Sequence, residues 1–158
     1  MKDNKIDWCK KQKKGIVLIE VNDNISAAYL KKAHNSLKAM DLNYSAKIID
    51  WAVDAAYYAR YQALYALLQK CGVKCEIHDC TMVVFRFLFS EHFDETFFKE
   101  IEIAKEQRIN MTYYTDKFIP HEEIKENVDN APNFVLEIEK YIDGVSLEEL
   151  QQLRSKLI

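Results

Sequence analysis

The chain has 158 residues, 49% hydrophobic and 30% charged, with a net charge of −3, a size that suits one domain able to fold without a metal or a disulfide. Three Gly and two Pro are too few turn residues for an all-β fold, so an all-α protein built of long helices is expected. Twenty-two basic against 25 acidic residues exclude a strongly basic nucleic-acid coat, and no apolar run reaches the roughly 20 residues of a membrane span, so a cytoplasmic protein with four reduced cysteines is expected.

Residues 1–14 hold six Lys against two Asp. Lys2, Lys5, Lys10, Lys11, Lys13 and Lys14, with Trp8 among them, have the ingredients for phosphate contacts and base stacking, although a solvated lysine-rich terminus explains them as well. Residues 1–22 are expected as a basic, extended arm, with Gly15-Ile16-Val17-Leu18-Ile19 as a strand-like strap or irregular segment. The bundle is expected over 23–158. Its first helix should cover about 25–41, with Asn24 as N-cap. A long central helix should run from Tyr44 to Cys71, with no Gly or Pro inside it and Gly72 at its C′ position. It is apolar nearly all round, and its alanines would let neighbours approach closely.

A third helix should open near Asp79 and carry Met82, Val83, Phe85, Phe87, Leu88 and Phe89. A fourth should run from Asp94 to about Tyr114. A fifth should start near Pro120 with the stripe Ile124, Val128, Ala131, Val135, Ile138 and Ile142, kinked or broken at Pro132. Ser146-Leu147-Glu148-Glu149 is a capping box opening a short last helix. Together these make an up-and-down antiparallel bundle of four to five main helices.

Polar residues within the apolar pattern mark candidate sites. Asp54, Tyr58, Tyr61 and Tyr65 are spaced 4-3-4 and share one helical stripe. Arg108 stands in line with Phe97, Ile101 and Ala104, so it needs an anionic partner if buried. Asp54 is expected as that partner, with Tyr58 or Tyr113 completing the network. A nucleotide site here would need a cavity lined by Tyr58, Tyr61 and Arg108; a stability-only network would leave none. Arg86 and His92 form an R-x5-H spacing that could serve a nuclease, His as general acid/base and Arg as phosphate clamp. Along one helix, however, six residues turn the two side chains roughly 120° apart. Cys71, Cys75, His78 and Cys80 carry zinc-ligand chemistry, but their spacing matches no standard knuckle, and no metal or cofactor is expected.

Three stretches together resemble the HEPN family (higher eukaryotes and prokaryotes nucleotide-binding domain). They are Ala55-Ala56-Tyr57-Tyr58-Ala59-Arg60-Tyr61-Gln62-Ala63, Gly72-Val73-Lys74-Cys75-Glu76-Ile77-His78, and Arg108-Ile109-Asn110-Met111-Thr112-Tyr113-Tyr114, within about residues 25–143. The resemblance implies a helical bundle that commonly forms a homodimer and binds a nucleotide. Together with the polar stripe described above, these stretches make Asp54, Tyr57, Tyr58, Tyr61, His78, Arg108 and Tyr113 the candidate ligand-binding or buried polar set. Small prokaryotic members often pair with a minimal nucleotidyltransferase in a toxin–antitoxin arrangement. Others are metal-independent ribonucleases carrying an R-x4–6-H motif; no His follows Arg108 at that distance, and Arg86/His92 is the pair with the spacing. A structural adaptor without a ligand is the third reading.

Overall fold

The computed structural model describes residues 2–158; the side chains of Lys2 and Asp3, and with them one lysine of the expected basic arm, lie outside the described part. Seven helices occur among the described residues: α1 (Lys2–Lys11), α2 (Asp23–Ser45), α3 (Ile49–Lys70), α4 (His78–Phe89), α5 (Glu95–Tyr113), α6 (His121–Gly144) and α7 (Leu147–Ser155). Two short strands, β1 (Val17–Leu18) and β2 (Val73–Lys74), pair antiparallel. The protein is an all-α helical bundle. None of the helices is long and apolar enough to cross a membrane.

The N-terminal segment differs from the extended arm expected of it. Residues 2–11 are helical, and of the described side chains in α1 only Ile6 and Cys9 are buried. Two buried positions are too faint a stripe to announce a helix in sequence. The Gly15–Ile19 run does form a strap: β1 lies on β2, the Ile19 amide donates to the Gly72 carbonyl at 2.9 Å, and the Glu76 amide donates to the Lys14 carbonyl at 2.9 Å.

Asn22, not Asn24, caps α2, its side chain accepting from the Ile25 amide at 3.1 Å. The central helix begins at Ile49 rather than Tyr44, because α2 continues to Ser45 and the chain reverses at Lys47, whose φ is 62°. The Ile48 amide reaches the Asn43 carbonyl at 2.8 Å and the Lys47 amide the Tyr44 carbonyl at 3.0 Å, the paired bonds of a Schellman turn with Lys where Gly is usual. At the other end of α3, Gly72 has φ 72°; a Cβ there would lie 2.7 Å from the Ile19 carbonyl oxygen, so the glycine both ends the helix and admits the strap.

The core lies around α3. Ala52, Ala56, Ala59, Ala63 and Ala66 have no exposed surface, and small side chains there bring α2, α5 and α6 close. Phe85, Phe89, Phe98 and Phe134 are buried, with Phe97 stacked on Phe134 at 4.0 Å between centroids. Each such side chain contributes about 1.5–3 kcal/mol through its burial. Pro132 is accommodated inside a continuous α6. It lies on the exposed face, and the expected break does not occur.

A tyrosine, histidine and arginine seam on the central helix

The site is built on α3, whose Tyr57, Tyr58 and Tyr61 meet α4 and α5, while Tyr65 packs on Tyr29 of α2. Tyr57 is fully buried, and its ring lies 5.3 Å from Tyr58 and 5.9 Å from Tyr61. His78, the first residue of α4, stacks on Tyr61 at 4.4 Å with the rings nearly parallel. Burial, with Arg108 and Lys105 nearby, holds the His78 imidazole below its ordinary range, so it is neutral at pH 7. Burial likewise pushes the Tyr57 hydroxyl up, so it stays protonated. The Tyr57 hydroxyl and His78 Nδ1 lie within hydrogen-bond distance, 3.4 Å apart.

From α5, the Arg108 guanidinium lies over the Tyr57 ring at 4.9 Å and the Tyr58 ring at 5.5 Å. Its Nε is buried and has no hydrogen-bond partner, and among the described residues no carboxylate lies within 4.0 Å of the guanidinium. The expected Asp54 partnership fails. Asp54 instead accepts from the Thr112 hydroxyl at 3.0 Å. The cause is register: α3 and α5 run antiparallel, so Asp54 stands opposite Thr112 and Tyr58 opposite Arg108, one helical turn apart. Tyr113, at the end of α5, is 69% exposed and joins no network.

The structure thus gathers Tyr57, Tyr58, Tyr61, His78 and Arg108, with Asp54 at the margin. Neither of the two best-formed clefts is lined by Tyr58, Tyr61 or Arg108, so the cavity expected of a nucleotide site is not one of them, and a ligand at the seam would lie against its partly exposed side chains.

Arg86 and His92 do not converge within the chain. Arg86 is held by Glu95 at 2.6 Å and Glu102 at 2.8 Å and covers Phe98. His92 turns toward α6 and α7, beside Tyr141 and 3.4 Å from Glu149. The proposed cysteine cluster is also divided. Cys80 is joined to Cys9 in a disulfide, while Cys71 and Cys75 are buried free thiols, each pushed up to about 12 by burial. That corrects the expectation of four reduced cysteines. No group of His, Cys, Asp and Glu suited to a metal occurs among the described residues.

The buried cation that sequence reading missed is Arg60, 0% exposed and directed from α3 toward α5 and α6. Its Nε donates to Glu100 Oε1 at 2.9 Å, Nη1 to the Ala56 carbonyl at 3.1 Å and to Asn127 Oδ1 at 2.6 Å, and Nη2 to the Asn127 carbonyl at 2.8 Å. Nη2 also lies 2.9 Å from Glu100 Oε1. Asn127 in turn donates to Gln107 Oε1 at 2.7 Å. A signal existed: a helix apolar nearly all round must bury any charge it carries, and Arg60 stands at helical spacing between Ala56 and Leu64.

Comparison with curated protein sequences finds no match. Comparison with protein families matches residues 26–141 to the HEPN domain, a span that contains the tyrosine stripe of α3, His78 and Arg108. With the helical bundle and most of its length inside that match, the chain belongs to the HEPN family.

Proposed function

We propose that the chain is a non-catalytic nucleotide-binding module, acting as a homodimer, whose ligand is received on the seam between α3, α4 and α5. One observation carries this reading. Arg108 is held over two tyrosine rings with its Nε unpartnered and no carboxylate in ion-pair range. A cation so placed favours an anionic group beside an aromatic surface. The exposed His78 ring, stacked on Tyr61, offers its other face to a planar base. A minimal nucleotidyltransferase partner, as in a toxin–antitoxin pair, fits the same surface, since its nucleotide would be presented there. A ribonuclease built on Arg86 and His92 has less support, because two carboxylates already engage the arginine.

The test is titration of the full chain with ATP and with AMP at low ionic strength, followed by calorimetry and by amide chemical shifts. Saturable binding is expected, with the largest shifts at Tyr58, His78 and Arg108. Arg108→Gln should weaken it at least tenfold, a loss of about 1.4 kcal/mol or more, whereas Arg86→Gln should leave it within twofold. Binding should strengthen as the pH falls below the ordinary imidazole range, because burial depresses the folded pKa of His78 and it gains its proton late. Sedimentation should give twice the chain mass. Absence of saturable binding, or indifference to Arg108→Gln, sinks the proposal.

A further inference from the structure

The first turn of α4 is tied to three other helices through four consecutive residues. His78 stacks on Tyr61 of α3 at 4.4 Å. Asp79 accepts from Lys105 of α5 at 2.5 Å. Cys80 is bonded to Cys9 of α1. The Thr81 hydroxyl lies 3.3 Å from the Tyr61 hydroxyl. No side chain caps this helix at Ile77, so the turn relies on these ties for its position. Two of the four belong to the seam, and the covalent one comes from α1.

Helix α1 brings charge as well as a tether. It carries Lys5, Lys10 and Lys11 against Asp7 on its exposed surface. Lys5 stands four residues before Cys9, so the two share a face of α1, and Asp79 is the neighbour of Cys80. The bond therefore sets Lys5 beside Asp79. Lys105, and more weakly Lys5, act on the Asp79 carboxyl and hold it below its ordinary range. The one acid in this turn is thus offset by cations from α5 and from α1. Little else fastens α1, since of its described side chains only Ile6 and Cys9 are buried.

We infer that the Cys9–Cys80 bond is a redox switch on the seam: closed, it holds the lysines of α1 beside the first turn of α4 and favours an anionic nucleotide there; opened, it lets α1 leave and lowers that affinity. The inference rests on the nucleotide reading of the seam. Opening is a thiol–disulfide exchange with a dithiol reductant. One thiolate attacks a sulfur of the bond to form a mixed disulfide, and the second thiolate displaces it. Two electrons and two protons pass to Cys9 and Cys80, and the reductant departs as its own disulfide. The seam then lacks both the Lys5 charge and the covalent anchor of the turn that carries His78.

Calorimetric titration of the full chain with ATP at low ionic strength, before and after treatment with dithiothreitol, reads the switch. Reduction should weaken binding about threefold to tenfold, and the difference should shrink as salt is added. Cys9→Ser should bind as the reduced protein does and ignore the reductant. Cys71→Ser, whose thiol lies outside the bond, should respond as the parent does. Lys5→Gln should weaken the oxidised protein and add nothing after reduction, because by then Lys5 has left. Without ligand, the ring-proton resonances of His78 should shift on reduction while the amides of α3 stay protected from exchange. Equal ATP affinity in the two states, or tighter binding after reduction, overturns the switch and leaves the nucleotide reading intact. Absence of ATP binding in either state sinks the nucleotide reading, whereas a His78 ring that does not respond to reduction overturns the switch by itself.

Discussion

Arg60 carries a full charge in the middle of the best-buried helix of the protein, and two features make that tolerable. Its donors all reach acceptors, and its counter-charge, Glu100, keeps partial access to water. Burial nevertheless acts against both charges, pulling Arg60 down and Glu100 up, so the pair need not be a net source of stability. Breaking it is another matter. Arg60→Met should cost about 3–5 kcal/mol, because it leaves Glu100, Asn127 and the Ala56 carbonyl without their partner. Arg60→Met combined with Glu100→Met should cost clearly less than the sum of the two single changes. Urea denaturation of the four proteins in this cycle measures the coupling, and simple additivity would show that the two residues do not act as a unit. Sequence reading expects a buried cation on α5 and its acid on α3. The molecule has the reverse, because the outward turn of the 94–114 stripe that holds Arg108 faces rings rather than a carboxylate. The aromatic members of the seam were legible, since 4-3-4 spacing fixes a face; the pairing of charges was not, since it depends on how two helices slide past each other.

The strap formed by β1 and β2 is held by few bonds, and one exposed carboxylate ties both sides. Glu76 contacts Lys14 at 2.9 Å and Lys74 at 2.7 Å, and hydrogen bonds from these two lysines bring its carboxyl from near 4.5 down to about 2. A depressed carboxyl stabilises the folded form above its unfolded pKa, and that contribution is lost as the pH falls through the folded one. The strap should therefore loosen between about pH 4.5 and pH 2. Hydrogen exchange at the Ile19 and Glu76 amides, which bond the Gly72 and Lys14 carbonyls, should accelerate across that window. Glu76→Gln should exchange fast at every pH and lose the acid step; an unchanged step in the variant would assign it to another group. The elements differ in how plainly the sequence marks them. Asp94, Ser146 and Gly72 stand at helix ends with the chemistry those ends need. The boundary between α2 and α3 has no such mark, because a lysine adopts the left-handed conformation there, held by the bonds around it.

At the scale of the whole molecule, α1 is held to the bundle through few elements. It packs chiefly on α4, buries Ile6 and Cys9 among its described side chains, and is fixed by the Cys9–Cys80 bond. Sequence alone could not pair these cysteines, because the match depends on where a weakly patterned helix docks. The bond closes a loop of 71 residues, long enough that a cross-link should restrict the unfolded chain substantially, by about 4 kcal/mol in the chain-entropy account and 2–4 kcal/mol in typical measurements. Reduction should therefore lower the urea midpoint of the whole protein. It should also give α1 a way to leave alone, since so little else holds it. In dithiothreitol the amides of residues 4–11 should exchange fast while those of α3 remain protected, and Cys9→Ser should reproduce that pattern without reductant. Cys71→Ser should not, because Cys71 takes no part in the bond. Alkylation in denaturant should label two thiols before reduction and four after it. Four labels from the outset, with α1 still protected, would mean that apolar packing of Ile6 and its neighbours, rather than the cross-link, keeps the basic helix on the bundle.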